Sequence, residues 1–199
     1  VRDAPNGEEF CHEIYAKTGL EVSVVTGEEE ARLSAKGVLL GWPDVDGLVC
    51  DLGGASMELA EIANGNVGLA KSLPIGPLYL DRLHANAIEK RDYVQSKLIE
   101  LRKHFKKTYK TIYLVGGSWR TIARLHMDLS NYPLKVLHEY QITAEDILST
   151  IKWINKRSLK ELRAATTISN VRLDLLPTSG IILQEVLKIF NPKKIALSS

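Results

Sequence analysis

The chain has 199 residues, 45% hydrophobic and 25% charged, a globular balance with enough apolar material for one domain or two small lobes. Lys and Arg number 26 against 24 for Asp and Glu, a formal charge of +2. That excludes a nucleic-acid binder driven by bulk electrostatics. No apolar run reaches about 18 residues and the start has no signal-peptide pattern, so no membrane span is expected.

In chain order, Asn6 is placed to cap a first helix. Glu9 stands at capping-box spacing, and the helix runs to about Lys17 before Gly19 ends it. "LEVSVVT" alternates and is rich in Val, which predicts a strand. Thr26 caps a second helix with Glu29 three residues on. Ala31, Ala35, Val38 and Leu39 form its apolar stripe. "GWPDVDG" is a turn, "LVCDL" a short buried strand, and "MELAEIA" and "VGLAKSLPIG" flank the hairpin signal Asn64-Gly65. The glycines after Asp51 therefore join strand to strand. A dinucleotide fingerprint or a Walker loop needs a helix there.

Pro77 to about Lys107 reads as helix in two pieces broken near Ala87. "TIYLV" is a strand, and Gly116-Gly117-Ser118 opens a helix through about Met127. Thr143, Ala144, Glu145 and Asp146 start another helix, and Ser158 with Glu161 caps the next. "LLPTSGIILQEVLKIF" is a helix with Pro177 near its first turn, and "KKIALSS" is the last strand. This order predicts an α/β lobe with a mixed sheet and flanking helices. The opening "VRDAPNGEEF" and the closing strand both read as cuts through a larger protein. Cys11 and Cys50 lack metal or redox spacing and read as reduced thiols of a cytoplasmic protein.

Four constellations have chemical potential. In Asp51-Leu52-Gly53-Gly54-Ala55-Ser56, glycines let backbone N–H groups converge on an anion, and an acid at a strand end suits Mg²⁺. The same pattern also describes a tight hairpin with Asp51 and Ser56 bonding the turn. Glu28-Glu29-Glu30 can be helix-dipole chemistry alone, but Glu30 lies one step further in, beside the apolar stripe, where a general base would face a cleft. "LVGGSWRTIA" sets Gly116, Gly117 and Ser118 at a helix start, either an anion-facing turn or a close-packed loop. The stripe Lys97, Arg102, Lys103, Lys106, Lys107, Lys110 is either a polyanion guide or a solvated helix face. There is no Gly-x-Ser-x-Gly elbow and no His-Glu-x-x-His, and the five histidines show no ligand spacing, so nucleophilic Ser/Cys chemistry and structural zinc have no support.

Taken together, "VRDAPNGEEF", "GLEVSVVTGEEEARLSAKGV", "LVCDLGGASMEL", "SLPIGPLYL", "IYLVGGSWRTIARL" and "RLDLLPTSGIIL" resemble, in order, the exopolyphosphatase / guanosine pentaphosphate phosphohydrolase family. The pairing of "GEEEAR" with "DLGGAS" is its most specific element. The resemblance implies the actin / hsp70 / sugar-kinase fold, two ribonuclease-H-like lobes around a cleft. Residues 1–27 would then be the tail of a first lobe and 28–199 the second. It implies removal of terminal phosphates from inorganic polyphosphate or guanosine pentaphosphate by water, assisted by Mg²⁺, in a full-length homodimer that engages neither nucleic acid nor membrane. By the same resemblance Glu30 is the general base and Asp51 the cleft acid linked to metal and water. Gly53, Gly54, Ala55 and Ser56 form the phosphate loop, joined by Gly116, Gly117 and Ser118 at the second glycine turn. Glu58 is an acid at the metal, and Arg2 an arginine brought to substrate phosphate. The chain departs from the family pattern at Ala55, Met57 and Trp119, and it lacks an Asp-x-Gly-Ser loop and a C-terminal helical domain. A kinase-type phosphotransferase of the same fold and a non-catalytic polyanion-binding module are the competing expectations.

Overall fold

A computed structural model describes residues 2, 4–165 and 170–198. Its helices are α1 (Gly7–Thr18), α2 (Gly27–Gly41), α3 (Pro77–Leu83), α4 (Ala87–Arg102), α5 (Gly117–Leu129), α6 (Ala144–Asn155), α7 (Leu159–Ala165), α8 (Asn170–Asp174) and α9 (Leu176–Phe190). Its strands are β1 (Gly47–Leu52), β2 (Met57–Ala63), β3 (Asn66–Leu73), β4 (Thr111–Val115), β5 (Gln141–Thr143) and β6 (Lys194–Leu197). They form one six-stranded sheet in the order β3-β2-β1-β4-β6-β5. β1, β2 and β3 are an antiparallel meander, β1, β4 and β6 run parallel, and β5 turns back antiparallel to β6. This is the mixed α/β lobe that the element order predicts.

Local chemistry explains most boundaries. The Thr26 hydroxyl accepts the Glu29 N–H at 3.2 Å and starts α2. Asn64 and Gly65 both take positive φ, 51° and 71°, as a two-residue hairpin turn demands. The Ser158 N–H donates to the Glu161 carboxylate at 2.7 Å while the Ser158 hydroxyl accepts the Glu161 N–H at 3.3 Å, a complete capping box.

The sheet's two faces are covered differently. On one, α2 lays Ala31, Ala35 and Val38 against Val49, Ala60, Ala70 and Ala196, small residues that bring helix and sheet close. On the other, Leu48, Cys50, Leu59 and Leu114 pack with residues of α4, α5, α6 and α9 such as Leu98, Ile122, Ile151 and Ile182 in the larger core. No described helix is long and apolar enough to cross a membrane.

Three expectations need correction, and one short strand is new. "LEVSVVT" lies outside any strand, with Leu20 and Val24 exposed. Alternation marks a chain suited to a sheet, but a strand forms only where a neighbour completes the ladder, and none of the described strands runs beside this segment. The Asn6 side chain makes no capping bond. α4 stops at Arg102, where residues 103–110 turn into β4. The three-residue β5 was not anticipated, being too short to display a period.

Candidate active site

The glycine-rich stretch is a loop between β1 and β2. The Gly53 N–H closes it onto the Ser56 carbonyl at 3.0 Å. From the other side, the Gly76 N–H donates to Ala55 O at 3.0 Å and the Leu78 N–H to Gly54 O at 2.9 Å. A Cβ on Gly76 would sit 2.4 Å from Gly54 O, so only glycine allows this approach. With the Gly53 amide and the Gly54 and Ala55 carbonyls engaged, Gly54 and Ala55 are exposed residues whose amides donate to no described group.

Strand register does the rest of the assembly. Asp51 pairs directly with Glu58, and Glu58 with Ser72. Directly opposed residues project from the same face, here the face covered by α2. Ser34 on α2 donates a short hydrogen bond to Asp51. The Ser72 hydroxyl donates to Glu58 Oε1 at 2.8 Å, and Ser56 acts on the same carboxylate from the loop. Glu58 is 1% exposed and its Oε2 has no partner among the described residues.

Arg2 ties the acids to the loop. Its Nη1 donates to Glu30 Oε2 at 3.0 Å and to Val25 O at 3.1 Å. Its Nη2 lies 3.5 Å from the Ser56 hydroxyl and 3.8 Å from Glu58 Oε1. Glu30 remains half exposed. The structure thus brings together Arg2, Glu30, Asp51, Ser56 and Glu58, residues spread over the first 58 positions of the chain.

The second glycine turn splits between two surroundings. Gly116 has φ +111°, and a Cβ there would lie 2.7 Å from Leu52 O and 3.1 Å from Asp51 Oδ1. Gly117 and Ser118, in the first turn of α5, instead line a pocket of about 280 Å³ beside the loop, together with Gly53, Gly54, Thr121 and Arg172. Asp51 and its acids lie on the α2 face, so the loop forms a ridge between acids and pocket.

Two partners in this arrangement escaped the sequence reading. Ser34 stands four residues after Glu30, one helical turn along the same face, and that spacing was a usable signal. Arg120 acts electrostatically on Asp51 from α5, which only the packing of α5 against β1 reveals.

Burial is the main cause of a raised Asp51 pKa; the Ser34 bond and the Arg120 charge oppose it, and Glu30 adds to it. Burial likewise raises Glu58, with the Ser56 and Ser72 bonds opposing and Glu30 and Asp51 adding. A carboxyl whose pKa is higher folded than unfolded holds its proton better in the native state. Its contribution to stability is therefore full below the unfolded value and is lost as pH rises through the folded one. Thermal stability should fall as pH rises above 4.5, the ordinary glutamate value, and Glu58→Gln should flatten that fall. A set of melting curves across this range checks it; an unchanged slope in the variant would assign the effect elsewhere.

The fold defines an actin-like α/β lobe, with an acid-flanked glycine loop at one end of its sheet. The Ppx/GppA phosphatase family matches residues 1–199, and the chain belongs to that family. It is 29% identical over 217 residues to a bifunctional 3-dehydroquinate synthase/phosphatase of Fusobacterium nucleatum, covering 100% of this chain and 32% of that protein. It is 36% identical over 84 residues to exopolyphosphatase 1 of Mycobacterium tuberculosis, covering 41% of this chain and 24% of that protein. The chain thus spans a third or less of the length of these curated relatives. An exopolyphosphatase structure from Cytophaga hutchinsonii superimposes with a TM-score of 0.87 at 21% identity, covering 100% of this chain and 68% of that one, which shows the shared fold.

Proposed function

We propose that this chain forms the catalytic lobe of a phosphatase that releases terminal phosphate from a phosphoanhydride chain, inorganic polyphosphate or guanosine pentaphosphate, by attack of water. Residues 1–27 would belong to a first actin-like lobe and 28–199 to the second. One observation carries the reading: Glu30, Asp51 and Glu58 converge with Arg2 on a loop whose Gly54 and Ala55 amides donate to no described group.

In-line displacement at phosphorus needs positioning and charge neutralisation more than covalent help. The Gly54 and Ala55 amides donate to oxygens of the terminal phosphoryl group, and Ser56 adds a hydroxyl. Gly117 and Ser118, across the loop, offer first-turn amides to the next phosphates. Arg2 neutralises the terminal group while its other bond orients Glu30. Glu30 Oε2, half exposed and held at 3.0 Å by that arginine, takes the proton of the attacking water. Mg²⁺ takes one or two carboxylates and otherwise water or phosphate oxygens. Asp51 and Glu58, paired across two strands and with Glu58 Oε2 unpartnered, fit that donor set. Among the described residues no three such side chains form a closed site, which suits a metal shared with substrate. Bound there, Mg²⁺ would neutralise charge on the phosphate oxygens.

The test is phosphate release from long-chain polyphosphate and from guanosine pentaphosphate by the protein in its native length, with Mg²⁺ and with the metal chelated. Release from at least one substrate, lost on chelation, is expected. Silence on both would overturn the reading.

A further inference from the structure

At the opposite end of the sheet from the glycine loop, two connections meet. The Lys193 and Lys194 N–H groups both donate to Lys110 O, at 2.9 and 3.0 Å, joining the α9–β6 turn to the α4–β4 turn. In the stretch "KHFKKTYK", residues 103–110, Phe105 and Tyr109 turn inward, while His104 and the lysines face outward. Phe105 and Tyr109 are buried against Phe190. Lys103, Lys106, Lys107 and Lys110 are exposed, as are Lys193 and Lys194 beside them. The Arg102 guanidinium braces the loop by donating to Lys107 O at 3.2 Å.

Among the described residues, one of these cations meets an acid and five do not. Lys107 lies 3.7 Å from Glu61, which also accepts from Tyr109. Lys103, Lys106, Lys110, Lys193 and Lys194 have no side-chain partner among the described residues. Six ammonium groups on a braced surface make a local positive field that the overall charge of +2 conceals. The ligand they suit is a flexible chain of phosphates. Lysine is a point charge with no preferred ligand shape. Phe105 and Tyr109, the large rings that would stack on bases in a nucleic-acid groove, are buried here.

We propose that this lysine surface holds the distal stretch of a long polyphosphate chain whose end lies in the active site. The inference rests on the reading of that site given above. β4 runs from the lysines at Thr111 to the site at Val115, a span of roughly 15 Å. Only a long chain can reach both ends, and the second contact then adds to the first as an intramolecular one.

The test compares Lys106→Gln/Lys110→Gln/Lys193→Gln/Lys194→Gln with a control of equal charge, Lys36→Gln/Lys152→Gln/Lys156→Gln/Lys160→Gln, whose lysines are exposed elsewhere. Binding of long-chain polyphosphate and of tripolyphosphate is measured by calorimetry at about 0.1 M salt. The surface variant should bind the long chain at least about tenfold more weakly and tripolyphosphate as the parent does. The control should match the parent on both, and melting curves of all three should coincide. Long-chain binding unchanged in the surface variant, or equally weakened in the control, overturns the inference. So does displacement of polyphosphate by a single-stranded oligonucleotide of equal charge at lower concentration. Phosphate release from tripolyphosphate by the parent tests the catalytic reading separately, since that substrate does not need the lysines.

Discussion

Glu30→Gln should leave the lobe folded and lower turnover about a hundred- to ten-thousandfold. Glu30 is half exposed, and its side chain bonds Arg2 alone among the described residues. A glutamine keeps an oxygen for that arginine, so the packing of α2 is untouched. It removes only the capacity to take a proton from water. The fall should therefore appear in kcat, with KM changed by little. Superimposable melting curves would confirm that the fold survives. Near-normal turnover in a folded variant would remove Glu30 from the role of base and turn attention to Asp51.

The second large effect is structural. Gly116→Ala should destabilise the lobe by about 2–5 kcal/mol, from backbone strain and overpacking together. Its φ of +111° lies where L residues rarely go, and the new Cβ would press on Leu52 O at 2.7 Å and on Asp51 Oδ1 at 3.1 Å. The Leu52 carbonyl cannot retreat cheaply, because it belongs to β1 between β2 and β4. Gly117→Ala is the matched control. No described atom beyond its chain neighbours and its own helix backbone lies within 4 Å of its Cβ, and stability should change by no more than about 1 kcal/mol, in the direction of greater stability where helix propensity dominates. Denaturant unfolding of both variants decides it; equal stabilities would mean that the turn relaxes at no cost.

What the sequence made legible was what local chemistry determines. The Thr26 cap, the Asn64-Gly65 turn, Pro77 at the start of α3 and the Ser158–Glu161 box each act within a few residues, and each stands where its spacing places it. The acid-glycine loop was legible for the same reason, as a strand–turn–strand. Whatever depends on a partner distant in the chain was not. "LEVSVVT" carries the alternation of a strand, yet a strand is a property of two segments. Arg120 sits within "GGSWRTIA", where the glycines are the local signal, and its effect on Asp51 arises only when α5 packs beside β1. The basic stretch read as a choice between a guide and a solvated face. Its partners Lys193 and Lys194 lie some 80 residues on and reach it only through β4–β6 pairing.

The central claim is that water, activated at the acids beside the Gly53–Ser56 loop, attacks the terminal phosphate. The most direct measurement is phosphate release from long-chain polyphosphate in water labelled with heavy oxygen, with Mg²⁺ present and glycerol and ADP offered as acceptors. The account predicts that each released phosphate carries one solvent oxygen and that neither acceptor gains phosphate. Phosphate appearing on an acceptor, with no label released, would contradict it and make the lobe part of a phosphotransferase.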